Sequence, residues 1–316
     1  MISALRCLWT SLLLVIFISG IGTASERIQN FTFEDIHSMD IRTVSGDIRI
    51  CPGNDAKLKV ELKNDLDHPD RLDPIVEADQ GELSIEEHFT GSHVRGEIYW
   101  TVYLPKSAEL KRVKCRSASG NMSFEGFKTE SIRAKSASGE VLVNSMYVQE
   151  IEISTASGSI TVKASDADFV MLNSASGDIS LDAVRSKEQE LSTASGSISV
   201  ENGKIEEQST IQSASGDVEL DLPQLPPAGL VVSSASSDVT LKVPDFGENF
   251  SMIISKGGHG GRIKCPFAYT DKTIFRNDDD DDDRMDRYYV KHGEGGPDIK
   301  LKTYSGTIRI ETDTKR

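Results

Sequence analysis

This 316-residue chain lacks the short motifs by which many enzymes announce themselves. It has no HExxH zinc helix, no GxSxG elbow, no GxGxxG turn and no phosphate-binding loop. Its six histidines, at 37, 68, 88, 93, 259 and 292, show no paired ligand spacing. Positive charge is also short: 35 Lys and Arg against 50 Asp and Glu leave a formal net charge of −15. That balance excludes nucleic acid as an expected partner, because phosphate neutralisation needs a basic surface. It argues equally against simple electrostatic attraction to anionic lipids. Past the N-terminus there is no apolar run long enough to cross a bilayer.

Cysteine is scarce, and what there is does not pair up. Of four, Cys7 lies in the leader described next, leaving Cys51, Cys115 and Cys265. Cys115 and Cys265 fall in core columns of the repeat that lie many coils apart, and Cys51 follows Ile50 and so points outward. All three are therefore expected to be free thiols, small hydrophobes rather than staples.

The one apolar run is the first. Arg6 supplies a positive start, Leu12 to Ile18 an apolar stretch, and Gly22-Thr23-Ala24 a small-residue cleavage pattern. Residues 1–24 are read as a signal peptide cleaved after Ala24, and the mature chain as exported without a transmembrane span. No cysteine follows the apolar stretch at the cleavage point, which argues against a lipoprotein.

What the sequence does have is a repeat. SASGNMSF, SASGEVLV, TASGSITV, SASGDISL, TASGSISV, SASGDVEL and SASSDVTL follow one another from Ser117 to Leu241. Glycines stand at 120, 139, 158, 177, 196 and 216, with Ser237 in the seventh slot, a period of 19 to 21 residues. Such a period marks a solenoid, whose coils cannot bury an apolar face alone and must stack. Five residues before each glycine stands Cys115, Ala134, Ile153, Leu172, Leu191, Ile211 or Val232; two and four after it stand Met122 and Phe124, Ile160 and Val162, and their counterparts. Apolar residues alternate with period 2 and are largely β-branched, which makes these strands. A helix would need apolar spacings of three and four and would not carry a glycine at every repeat. Three before the glycine the residue is always Ser or Thr, placed at the inner edge of the corner. The glycine itself is expected at positive φ.

The expected fold is therefore all-β: a flattened parallel β-solenoid of about 19-residue coils, stacked about 4.8 Å apart, with an N-terminal β-rich capping segment. Residues 25–110 hold a first coil around Gly46 (Ile41, Thr43, Ile48, Ile50), a faint one around Gly81 (Val76, Leu83, Ile85), and the apolar strand Ile98–Leu104 with Trp100. Residues 111–243 are the regular coils. Residues 244–316 hold a degenerate coil around Gly261, an acidic disordered insertion around 277–287, and a closing coil with Leu301, Thr303, Gly306, Ile308 and Ile310 in every column.

Two acidic features invite a metal reading. Six adjacent aspartates, Asp278 to Asp283, offer hard oxygens, but calcium loops space their ligands around a glycine turn, whereas adjacent like charges repel and stay solvated. The column after each corner glycine reads Asp47, Asn121, Glu140, Ser159, Asp178, Ser197, Asp217 and Asp238. A metal ladder needs an acid in every coil; this column is mixed and reads as a polar strand start. The Ser-rich corners have no recurring His or carboxylate beside them, so they are turn chemistry, not nucleophiles. No catalytic, cofactor or metal residue is assigned.

The order of features resembles the bacterial "putative adhesin" β-strand-repeat domain of unknown function, a toast-rack-like solenoid. The resemblance rests on the early TVSGDIRI coil, the strand ending in YLPKSAEL, the tandem SASGD coils and the closing GGPDIKLKTYSGTIRI, and runs from Asp40 to Glu311. It implies an exported β-solenoid without assigned catalytic residues, related to envelope-stress and adhesin head domains. The expected function is a non-enzymatic binding, adhesion or scaffold module at the periplasm or cell surface, its partner an envelope or extracellular protein or polysaccharide. The alternatives are a structural envelope-stress component bound to a membrane protein and, third, a carbohydrate-active β-helix enzyme.

Overall fold

The computed structural model describes residues 26–91, 94–258, 260–277 and 280–313. The expected signal peptide lies outside them, as do His93, His259, Asp278 and Asp279. The described chain is all-β apart from a 3₁₀ turn at Pro69–Arg71.

Each regular coil gives one strand to each of two sheets. In the Gly177 coil, Asp166–Ser174 runs in, the SASG corner turns the chain, and Ile179–Asp182 runs out. A second corner then leads to the next inbound strand, Arg185–Thr193. Neighbouring coils pair in parallel with the sequence columns in register: Ile153 beside Leu172 beside Leu191, and Ile160 beside Ile179 beside Ile198. These columns face one another between the sheets and are at most 1 % exposed. Each such side chain gains about 1.5–3 kcal/mol by leaving water, and it does so only because another coil lies on either side.

The two corners work by different physics. The corner glycines do not have the expected positive φ; Gly261 alone among them does. Their requirement is space. A Cβ on Gly139, Gly158, Gly177 or Gly196 would lie 1.9 to 2.1 Å from the carbonyl oxygen of the glycine one coil earlier. Positive φ instead marks the second corner, at Gly126, Ser145, Ala164, Ala183 and Asn202, with φ between 45° and 69°. Each of these turns its N–H onto a carbonyl of the following coil, as Ala164 does to Asp182 and Ala183 to Glu201, both at 2.9 Å.

The N-terminal cap continues both sheets and then reverses them. Glu82–Phe89 lies parallel to Ser38–Thr43 of the Gly46 coil, and Leu72–Asp79 returns antiparallel along it. Ile98–Leu104 lies parallel to Asp47–Pro52, followed antiparallel by Leu58–Asn64 and Arg27–Phe33. Val76, Leu83 and Ile85 are buried as expected. Gly81, however, is no coil corner: with Gln80 it forms a two-residue hairpin turn, both at positive φ. Cys51 is buried rather than outward-facing in effect, because Ile98–Leu104 pairs alongside it with Tyr103 at its register position.

At the other end, order in space departs from order in sequence. The outbound sheet runs from Val239–Lys242 to Ile308–Glu311 and then to Ile263–Lys264. The inbound sheet runs from Leu230–Ser234 to Asp298–Thr303 and then to Phe250–Gly257. The last coil of the chain thus sits between two coils that precede it. Cys265 is only half-buried, because the outbound strand of the Gly261 coil ends at Lys264. The stretch expected as disordered contains a hairpin instead: Asp271–Asn277 pairs antiparallel with Asp280–His292, which pairs in turn with Phe250–Gly257. Apolar residues on the pairing strand, Met252 and Ile254 opposite Val290 and Tyr288, give the hairpin a face to lie on. Phe246, Phe250, Phe267 and His292, with ring centroids 5.0 to 6.0 Å apart, close this end.

Candidate binding surfaces

The inner hydroxyl of each corner is consumed by structure, whereas the outer one, at Ser119, Ser138, Ser157, Ser176 and Ser195, is exposed. Ser117, Ser136, Ser174 and Ser213 each accept a hydrogen bond from the N–H of the glycine three residues on, at 2.7 to 2.8 Å. Thr193 and Thr303 do the same at 3.1 and 3.0 Å, and Thr303 also donates to the Ser237 carbonyl at 3.0 Å. All are buried. These side chains tie corner to corner and present no nucleophile to solvent.

The mixed column after the glycine has a structural role that its polarity alone did not reveal. Asp47 accepts from the N–H of Asn121, Asn121 from Glu140, Asp178 from Ser197, Asp217 from Asp238 and Asp238 from Thr307, at 2.7 to 3.1 Å. Every acceptor in this series is Asp or Asn, whose short side chain reaches one coil along. Among the described residues no group of three or more His, Cys, Asp or Glu is placed to hold a metal ion. His88 lies 3.3 Å from Glu86, His292 stacks on Phe250, and His37 and His68 are exposed. Part of the aspartate run, Asp278 and Asp279, is outside the described residues.

Sequence reasoning missed Glu87. Following Leu83 and Ile85 with period 2, it points inward from the cap and is 6 % exposed. One carboxylate oxygen accepts from the N–H of Val44 at 2.7 Å, Ser45 at 3.2 Å and Gly46 at 3.3 Å; the other accepts from the Trp100 indole at 2.6 Å. It stands where a preceding corner would offer its carbonyls, and it ends the ladder. The signal was available as a charged residue in an apolar period-2 series.

Two of the concavities on the surface lie over the outer faces of the two sheets. The larger, about 810 Å³, lies over the outbound sheet where the cap meets the array. Arg49, Tyr99, Thr101, Ser123, Glu125 and Leu142 are among the residues that line it. Arg49 and Glu125 pair at 3.0 Å. The Ser123 hydroxyl, donating at 2.7 Å, and then Arg49 hold the Glu125 carboxyl below its ordinary value. Tyr99 donates to Glu97, whose carboxylate holds the phenol above its usual value. The smaller, about 620 Å³, runs along the inbound sheet beside the corners. Its rungs are Ser154, Asn173, Ser192, Gln212 and Ser233, one per coil, and it ends at Lys302 lying 4.6 Å over the Tyr304 ring. Sequence columns located these residues on outer faces, but the larger concavity arises at the joint with the cap, which no column records.

The family model described as Toastrack DUF4097 matches residues 36–262. Solved structures share the fold at low identity. A "putative lipid binding protein" from Parabacteroides distasonis is 15% identical with a TM-score of 0.52, the alignment covering 92% of this chain and 98% of that one. A "putative adhesin" from the same species is also 15% identical, with a TM-score of 0.49 over 90% and 97% of the two chains. No curated protein matches the chain in sequence.

Proposed function

Because the chain belongs to the Toastrack DUF4097 family, an all-β repeat fold of unknown function, we propose that it is an exported, non-enzymatic binding module of the cell envelope or cell surface. The observation that carries this is the cleft of about 810 Å³ at the joint of cap and array. It sets an exposed aromatic ring, Tyr99, a paired guanidinium, Arg49, and hydroxyls on strands that parallel pairing holds rigid. Such a surface recognises by shape, hydrogen bonds and ring stacking, and suits an extracellular protein or polysaccharide. The solved structures of this fold bear adhesin and lipid-binding names, which are consistent with binding rather than turnover. The leader-like residues 1–24 support export.

The test uses the full chain in its own cells. Protease added to intact cells should degrade it, and its deletion should reduce attachment to surfaces or to neighbouring cells. Complementation with Tyr99→Ala plus Arg49→Ala, at unchanged melting temperature, should fail to restore attachment. Full restoration would rule out the cleft, and hydrolysis or elimination on a polysaccharide panel would rule out the non-enzymatic reading.

A further inference from the structure

The closing coil, Asp298–Thr303 with Ile308–Glu311, follows the Ser237 and Gly261 coils in sequence. Yet its place lies between the Ser237 coil and the Gly261 coil, both earlier in sequence. It is paired in parallel on both sides in both sheets: Leu301 between Val232 and Ile254, and Ile308 between Val239 and Ile263. The slot also reads its polar atoms. Tyr304 and Ser305 donate backbone N–H groups to the Ala235 carbonyl at 3.2 Å, Thr307 donates its N–H to Asp238 at 2.7 Å, and a Cβ on Gly306 would lie 1.9 Å from the Ser237 oxygen. Everything that recognises this coil therefore resides in the coil and its slot.

What ties the coil to its own slot is thin. The connection Gly293-Glu294-Gly295-Gly296-Pro297 straddles the strand Phe250–Gly257, since the strands before and after the connection pair on its two sides. Its first four residues are exposed, and its three glycines have φ of 62°, 76° and 86°. The two flanking strands lie two strand spacings apart, about 9.6 Å, and five residues can extend to about 18 Å. The tether is longer than its span; it adds one backbone bond, from the Ser251 N–H to the Pro297 carbonyl at 3.1 Å, and the close approach of Gly293 and Gly296 to Asn249, while the recognition of the coil itself lies in the slot.

We infer that the slot takes the closing coil of a second copy of this chain, giving a reciprocally exchanged dimer in equilibrium with the monomer. The exchanged dimer keeps every pairing of the slot and changes only the tether, which is the condition under which swapping costs least. Departure of the coil exposes four strand edges and the apolar column of Ile299, Leu301, Ile308 and Ile310, so an emptied slot has one complementary occupant at hand.

A disulfide across the slot tests this. Thr240 and Arg309 are register partners on outer positions of adjacent parallel strands, about 4.8 Å apart, within the range a disulfide spans. The full chain carrying Thr240→Cys and Arg309→Cys is refolded at rising concentration and oxidised, with the tether intact and with Glu294 and Gly295 deleted. Gly295 has open space around it, so the deletion removes no packing there. The expected result is a reducible covalent dimer whose share rises with concentration and at least several-fold on shortening the tether, while either single cysteine variant gives none. Disulfides that stay within one chain at every concentration and both tether lengths would overturn the inference. Light scattering on the tether-shortened chain without the added cysteines decides the same question independently: a dimer supports exchange, and a monomer at all concentrations refutes it.

Discussion

Two substitutions six residues apart, Gly177→Ala and Ala183→Gly, separate the two corner types of one coil. At Gly177 the added Cβ meets the Gly158 oxygen at 2.1 Å, its carbon at 2.4 Å and the Ser159 nitrogen at 2.9 Å. All three are backbone atoms, so no rotamer relieves the clash. Ordinary separation requires the two corners to part by more than 1 Å. That strains the bonds of Ala175 to Thr155 at 3.2 Å and Ser176 to Ala156 at 2.9 Å. Losing one or two of these at about 1 kcal/mol each, with about 1–3 kcal/mol for overpacking, places the cost at about 2–5 kcal/mol. Ala183 is the reverse case. Its φ of 53° costs an alanine about 1–2 kcal/mol, while glycine in its place loses about 0.5–1 kcal/mol more chain entropy on folding. Ala183→Gly is therefore expected between neutral and about 1.5 kcal/mol stabilising. Urea unfolding followed by Trp100 fluorescence and far-UV circular dichroism, on both variants and wild type, reads the difference. Equal stabilities within about 0.5 kcal/mol would refute the assignment of close approach to one corner and backbone handedness to the other.

Glu87→Ala leaves three backbone N–H groups and the Trp100 indole without their acceptor; a loss of about 3 kcal/mol or more is expected, with a shifted Trp100 emission, and Glu87→Gln should retain part of it. Gln189 is fully buried beside Val170 in register, its amide oxygen unpartnered and its amide N–H donating to the buried Ser186 hydroxyl at 2.9 Å, so Gln189→Leu combined with Ser186→Ala, which removes both partners, should raise stability by about 1 kcal/mol; a lowered melting temperature would count against it. Burial pushes the Asp40 carboxyl up, but bonds and charge from Arg42 and Lys114 outweigh it and hold the folded group below its ordinary value of 3.8. Its contribution is thus present above about pH 4 and lost as pH falls through the lower folded value, so Asp40→Asn should flatten the acid limb of stability below pH 4, less so in high salt. Burial pushes the Cys115 thiol far above its usual value, so it should resist alkylation in the native protein, whereas all three cysteines of the mature chain should titrate after denaturation.

The columns around the corner glycines were open to reading because each coil repeats the same burial, and Leu172, Ile179 and Leu181 sit where their spacing placed them. The reason for the glycines was not. A column of glycine is the same whether it answers φ or crowding, and only the carbonyl stacked beneath Gly177 decides. The second corner was hidden because Ser145, Ala164 and Ala183 are small residues without a signature for left-handed backbone. The place of the closing coil was hidden for a different reason. Parallel coils with matching columns are interchangeable in local pattern, so nothing in Lys300 to Ile310 says which neighbours it takes. The outer-face cleft depends on Tyr99 sharing one face with Arg49 and Glu125, a long-range consequence of pairing Ile98–Leu104 beside Asp47–Pro52.

Because each SASG junction joins backbone to backbone, it has no means of counting. The carbonyls that Ser117 and Ala118 offer to Ala137 and Ser138 are offered again by Ser136 and Ala137 to the next corner, and the Asp or Asn beside the glycine reaches forward by one coil wherever it stands. Length is therefore decided only at the ends, by Glu87 supplying a false last carbonyl and by the Phe246, Phe250 and Phe267 plug with its hairpin. A gene segment encoding one more 19-residue unit, duplicated anywhere in the middle, would meet a ready-made floor and ceiling. The molecule behaves as a ruler whose graduation is fixed by the peptide unit and whose extent is left free for inheritance to adjust.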